Sequence, residues 1–148
     1  MARTFQQDHI YGKEQELGHY RTLKRYFGHT LKHNNDDLAP WDFEDCDTVI
    51  EMKSRHELST EYRDTMIKTL KIDRAKTEDR DVYYIFNFID RLCWIKYDEA
   101  QFSKYKVRLM KIKNREDYTE KWENRTFIPI CDLKVLKIFR QEPLFIDF

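Results

Sequence analysis

Apolar and charged positions follow two different rhythms along this chain. The first is helical: Tyr20, Leu23 and Phe27 recur at 3.6-residue spacing and predict a helix over Tyr11–Phe27. Glu16 extends that stripe one turn toward the N-terminus, whereas Glu14 falls on the polar face with Gly18, Arg21 and Arg25. His29–His33 predicts a short strand with surface histidines, and Asn34–Asp37 a turn. From Trp41 the period shortens to two. Trp41–Phe43 reads as a short strand, Glu44–Asp47 as a turn and Thr48–Lys53 as a second strand. Side chains alternate faces in a strand, so Val49, Glu51 and Lys53 share one face while Ile50 and Met52 share the other. A turn at 44–47 sets residue 42 opposite residue 49, which puts Asp42 on the Glu51 side.

Further along, Ser59 or Thr60 is the expected cap of a second helix. Met66, Ile67 and Leu70 would form its apolar face, with Lys71 one turn after Ile67. Val82–Ile89 is nearly continuously apolar, as suits a central strand covered on both faces, and Asp90-Arg91 turns it into Leu92–Tyr97. In Lys104–Leu109 basic and apolar residues alternate, so a strand there carries Lys104, Lys106 and Arg108 on one face. That face suits a nucleic-acid backbone, or equally the charged guard of an edge strand. Arg115–Asn124 reads as a loop or short helix, Thr126–Ile130 as a strand, and Asp132 as the cap of a terminal helix packing through Leu133, Leu136 and Phe139.

Composition narrows the classes. A chain of 148 residues with 41% hydrophobic content suits one globular α/β domain. With 27 basic and 27 acidic residues, a polyanionic partner would need local basic surface. Three widely spaced cysteines argue for a reducing compartment, and 3 Gly and 3 Pro exclude Gly-rich phosphate loops. No apolar stretch fits a signal peptide or a membrane span, so a cytoplasmic or nuclear location is expected.

The chemistry concentrates in Trp41–Arg55, WDFEDCDTVIEMKSR. A carboxylate and an ammonium emerging from an apolar strand are costly unless paired or bound to metal. Carboxylates converging from adjacent strands suit a hard cation such as Mg²⁺ or Mn²⁺. Asp42, eight intervening residues and then Glu51-Met52-Lys53 resembles the active-site motif of the PD-(D/E)XK nuclease superfamily, with the motif proline displaced to Pro40. Gly12–Glu16 resembles that superfamily's first-helix segment with its metal-associated glutamate, Tyr62–Ala75 resembles the helix after ExK, and the resemblance covers roughly residues 10–90.

It implies a restriction-endonuclease-like αβββαβ core with a mixed sheet, extra C-terminal strands and a helix. It also implies a Mg²⁺- or Mn²⁺-dependent nuclease acting on nucleic acid, DNA before RNA. Asp42 and Glu51 would be the metal ligands, joined by the Met52 carbonyl and Glu16, and Lys53 would act on the attacking water. Arg55 and Lys71 would contact phosphate, alongside the basic face of Lys104, Lys106 and Arg108. Asp45 or Asp47 remains open as the first acid, and Glu14 as the helix acid. A non-catalytic binding module on the same fold is the competing class, and a cap-snatching type of RNA endonuclease would need His19 as a ligand. The small size allows a homodimer.

Overall fold

The computed structural model describes residues 5–114 and 117–139. The chain enters as helix α1 (Phe5–Phe27), longer than its apolar stripe because no proline or glycine interrupts residues 5–11. The strands are β1 (Lys32–His33), β2 (Phe43–Glu44), β3 (Thr48–Ser54), β4 (Asp64–Lys68), β5 (Asp81–Asn87), β6 (Arg91–Lys96), β7 (Lys106–Lys113), β8 (Glu120–Pro129) and β9 (Lys134–Ile138). Helix α2 (Thr69–Lys76) joins β4 to β5, and α3 (Glu99–Phe102) follows β6. The molecule is mixed α/β. Its central sheet has the order β1-β2-β3-β5-β6-β9, and β4-β8-β7 form a second, smaller sheet. Among the described residues only the β3–β5 pair is parallel, in register from Thr48↔Asp81 to Ser54↔Asn87.

β3 is the axis of the structure because both of its faces are buried. Ile50 and Met52 pack with Leu23, Leu31, Phe43, Ile85 and Leu92, a core closed by α1. Val49 packs on the opposite face with Ile67, Ile72, Tyr84, Phe86 and Ile128, a core closed by α2 and the small sheet. The period-two reading of β3 therefore holds residue by residue. So does the central hairpin, with Tyr83↔Lys96 and Asn87↔Leu92 at its ends.

The register against β2 differs from the expected one. Glu44 rather than Asp42 faces Val49, because the turn is tighter: the Asp45 N–H donates to the Thr48 carbonyl at 2.8 Å. The slip is two residues, so facing is preserved. Phe43 faces Ile50, yet the Asp42 N–H also donates to the Ile50 carbonyl at 2.9 Å, as at a β-bulge.

Three expected elements are replaced. The second helix does not begin at Ser59 or Thr60. Asp64–Lys68 is strand β4, with Thr65 and Ile67 buried, because β8 offers Ile128 and Thr126 as cross-strand partners. Ser59 instead turns inward, its N–H and hydroxyl donating to Asp90 at 2.8 and 2.6 Å. The 115–124 loop is largely strand: β8 starts at Glu120 and pairs with β7 out to Lys113↔Glu120, while residues 115 and 116 lie outside the described residues. The terminal helix is strand β9, which completes the free edge of β6 through Leu92↔Lys137 and Trp94↔Lys134. Asp132, the expected cap, instead accepts a 2.7 Å hydrogen bond from the Tyr105 hydroxyl. Lys104 lies in the turn after α3, outside β7. No described helix is long and apolar enough to cross a membrane.

Candidate active site

β2 is two residues long, whereas β3 continues to Ser54, so β3 outruns β2 and leaves an open edge on that side. A cavity of about 510 Å³ fills that opening, lined by Glu16, Asp42, Glu51, Met52, Lys53, Arg55 and Lys71 among others. The side chains named from the sequence converge there from four elements.

Asp42 takes the first backbone group of the bare edge: its Oδ2 accepts the Met52 N–H at 2.8 Å. The N–H and C=O of one strand residue point to the same side, so the Met52 carbonyl also emerges on this edge, beyond the end of β2. Burial, and next the Glu16 carboxylate beside it, push the Asp42 carboxyl up to about 6. Met52 and Lys53 oppose that rise. Glu16 is 6% exposed and sits between the His33 ring, whose Nε2 is 2.9 Å from Oε2, and the Lys13 ammonium at 3.5 Å. Glu14 is exposed and does not line the cavity.

Glu51 is 2% exposed, and its carboxyl is pushed up by burial and by Asp42. Two amines counter this. Lys53 Nζ lies 3.4 Å from Oε1, and Lys71 Nζ donates to the same oxygen. Burial holds the Lys53 amine below its ordinary range, even though Glu51 pulls it up. Lys71 comes from the first turn of α2, which is held against the sheet by the Tyr84 hydroxyl donating to the Lys71 carbonyl at 2.9 Å. That buried tyrosine is itself driven well above its usual pKa by burial and by Glu51. Arg55 closes the far end of the edge. Its guanidinium donates to the Met66 carbonyl and lies 6.0 Å from the centre of the Phe86 ring.

Other candidates fall away from this place. Asp45 and Asp47 sit on the β2–β3 turn and do not line the cavity. Asp45 accepts from the Thr30 hydroxyl and is held at about 2 by that bond. Among the described residues, Asp45, Cys46 and Asp47 are the one group of three ligand atoms lying within 4.8 Å of one another. It is a surface cluster at a turn. His19 stacks on Phe139 at 5.4 Å and does not line the cavity. Lys104, Lys106 and Arg108 do not line it either. His33 was expected at the surface. It belongs to the site instead, with its side chain only 4% exposed. Its pairing with Glu16 depends on where α1 crosses β1, which no local spacing encodes.

The donor set fits a hard divalent cation. Three carboxylates and a main-chain carbonyl offer only oxygen, which suits Mg²⁺ or Mn²⁺ and disfavours softer metals. The Asp42 and Glu16 carboxyls lie near one another, where a cation would offset the charge of both. No protein-family model, curated protein or solved structure matches the chain.

Proposed function

We propose that the chain is a metal-dependent nuclease that hydrolyses phosphodiester bonds of nucleic acid, DNA before RNA, on a restriction-endonuclease-like core. The observation that carries this reading is the convergence of Asp42, Glu51, Lys53 and Glu16 in one open cavity at the bare edge of β3. A purely structural ion pair has no need of an open cavity, nor of a further buried carboxylate, Glu16, that together with burial pushes the Asp42 carboxyl up to about 6.

In this reading Asp42 and Glu51 hold the cation, with Glu16 beside Asp42 and the Met52 carbonyl on the same edge. Bound there, Mg²⁺ or Mn²⁺ lowers the pKa of water and offsets charge on the leaving oxygen. Lys53 shares the face of Glu51, and its amine is held below its ordinary range, chiefly by burial. It orients the attacking water and donates to the phosphate oxygens as their charge grows. Lys71 releases Glu51 to the cation and turns to a nonbridging phosphate oxygen. His33 and Lys13 fix the Glu16 carboxylate.

The test is a cleavage panel of linear duplex, single-stranded and branched DNA and of RNA, in Mn²⁺, Mg²⁺ or EDTA. Wild type is compared with Glu51→Gln and Lys53→Ala, with folding followed by circular dichroism. Metal-dependent cutting that both substitutions abolish is the expected result. A folded wild type that cuts nothing and takes up no Mn²⁺ by calorimetry overturns the proposal.

A further inference from the structure

A second cavity, of about 470 Å³, opens on the other side of Arg55, and Arg55 lines both. Its floor is apolar. Met66 of β4 and Phe127 of β8 are cross-strand partners, so they share the outer face of the small sheet. Lys106 of β7 pairs with Phe127 in turn, and the Arg108 guanidinium lies 5.5 Å from the centre of the Phe127 ring. Lys106 and Arg108 thus share the sheet face of Phe127, next to this second cavity without lining it.

At the mouth stand Tyr62, 63% exposed, and Arg63, also exposed. Neither Arg63 nor Lys106 forms an ion pair among the described residues, and the acids that share the lining are Glu57 and Asp64. One buried polar atom on this wall, the Arg55 Nε, has no hydrogen-bond partner. Such a group costs free energy unless something binds it. Flat rings beside unpaired cations are the chemistry with which proteins hold single-stranded nucleic acid, bases on the rings and phosphates on the cations.

We propose that this second cavity is a subsite for single-stranded nucleic acid leading away from the cleavage site, with Tyr62 and Phe127 stacking bases and Arg63 and Lys106 contacting phosphates. The inference rests on the nuclease reading and adds a substrate class to it: a strand that is unpaired beside the scissile bond. Arg55 follows Glu51 by four residues of one strand, a rise of about 13 Å, roughly that of four stacked nucleotides. A strand therefore has to extend about four nucleotides from the reacting phosphate before it gains from the subsite.

The experiment measures anisotropy of fluorescent oligo-dT and oligo-U of two, four, eight and twelve nucleotides, and of a blunt duplex, with the whole protein in EDTA. Affinity is expected to climb steeply beyond four nucleotides. Tyr62→Ala should weaken the twelve-mer about 5- to 150-fold, the range of one lost stacking contact, and Arg63→Gln should weaken it too. Arg63→Gln should also lower the salt slope by about 0.7. Both side chains are exposed, so folding is preserved, and the conservative Tyr62→Phe should restore binding. The dT and U series show which sugar is preferred. Twelve-mer binding indifferent to both substitutions, or a blunt duplex bound as tightly as the single strand, overturns the subsite even if the protein cuts. Variant-sensitive twelve-mer binding without any metal-dependent cutting supports the subsite and overturns the nuclease reading instead.

Discussion

Asp42 carries a free-energy cost in the metal-free protein, and removing its charge should stabilise the fold while destroying function. Its carboxyl stands at about 6 against a reference of 3.8, because burial and Glu16 both disfavour the anion. A carboxyl raised on folding contributes stability that is complete below the reference pKa and is lost as pH rises through the folded one. The difference, 6 − 3.8, is about 2 units, or roughly 3 kcal/mol once the pH is well above 6. Asn in place of Asp42 keeps an oxygen for the Met52 N–H and gains an amide donor for Glu16, but cannot ionise.

In EDTA at pH 8, Asp42→Asn should therefore exceed wild type by about 2–3 kcal/mol in urea unfolding, or some 5–10 °C in melting temperature. About 2 kcal/mol of that advantage should disappear on going to pH 4.5, where wild type takes up the proton. Mn²⁺ at about 1,000 times its Kd should reverse the order, since only wild type keeps the full ligand set and binding at that level adds about 4.1 kcal/mol. Equal stabilities at pH 8 in EDTA, or an advantage for the variant that stays constant between pH 4.5 and 8, would refute the reasoning.

Protons compete with the cation for Asp42, so calorimetry should show Mn²⁺ affinity falling as pH drops through about 6, by up to about tenfold per unit. Ser59→Ala removes a buried hydroxyl that donates to Asp90 and should cost about 1–2 kcal/mol in chemical denaturation. Gly28 ends α1 at φ +134°, a conformation that side chains resist, so Gly28→Ala should cost about 1–3 kcal/mol by thermal melting. Ile128 is wholly buried between α2 and the sheets, and Ile128→Ala should lose about 2–5 kcal/mol.

The candidate site was more legible in the sequence than the fold around it, for a physical reason. Alternation along β3 is local, so the facing of Glu51 and Lys53 follows from their spacing alone, and a two-residue slip of register leaves the side of Asp42 unchanged. Glu16 was legible because it lies on the same helical stripe as Leu23. Lys71 was legible because residues 69–76 are helical even though residues 64–68 are not. The small sheet was hidden because its pairs are distant, Thr65 with Ile128 and Ile67 with Thr126. Met66, Ile67 and Leu70 mimic a helical stripe, yet Leu70 is 62% exposed and Ile67 is 1% exposed. β9 was misread for the same reason: Lys134–Ile138 has no strong intrinsic preference, and the free edge of β6 decides its conformation.

That last strand has a consequence for how the protein comes to exist. The central sheet is closed on one side by residues 134–138, some forty residues after β6. During synthesis β5 and β6 emerge long before their outer neighbour, and β4 waits some sixty residues for β8. High separation of partners slows folding, and an apolar strand with an unpaired edge recruits other chains. A nascent chain stalled before Lys134 should therefore depend on chaperones to stay out of aggregates.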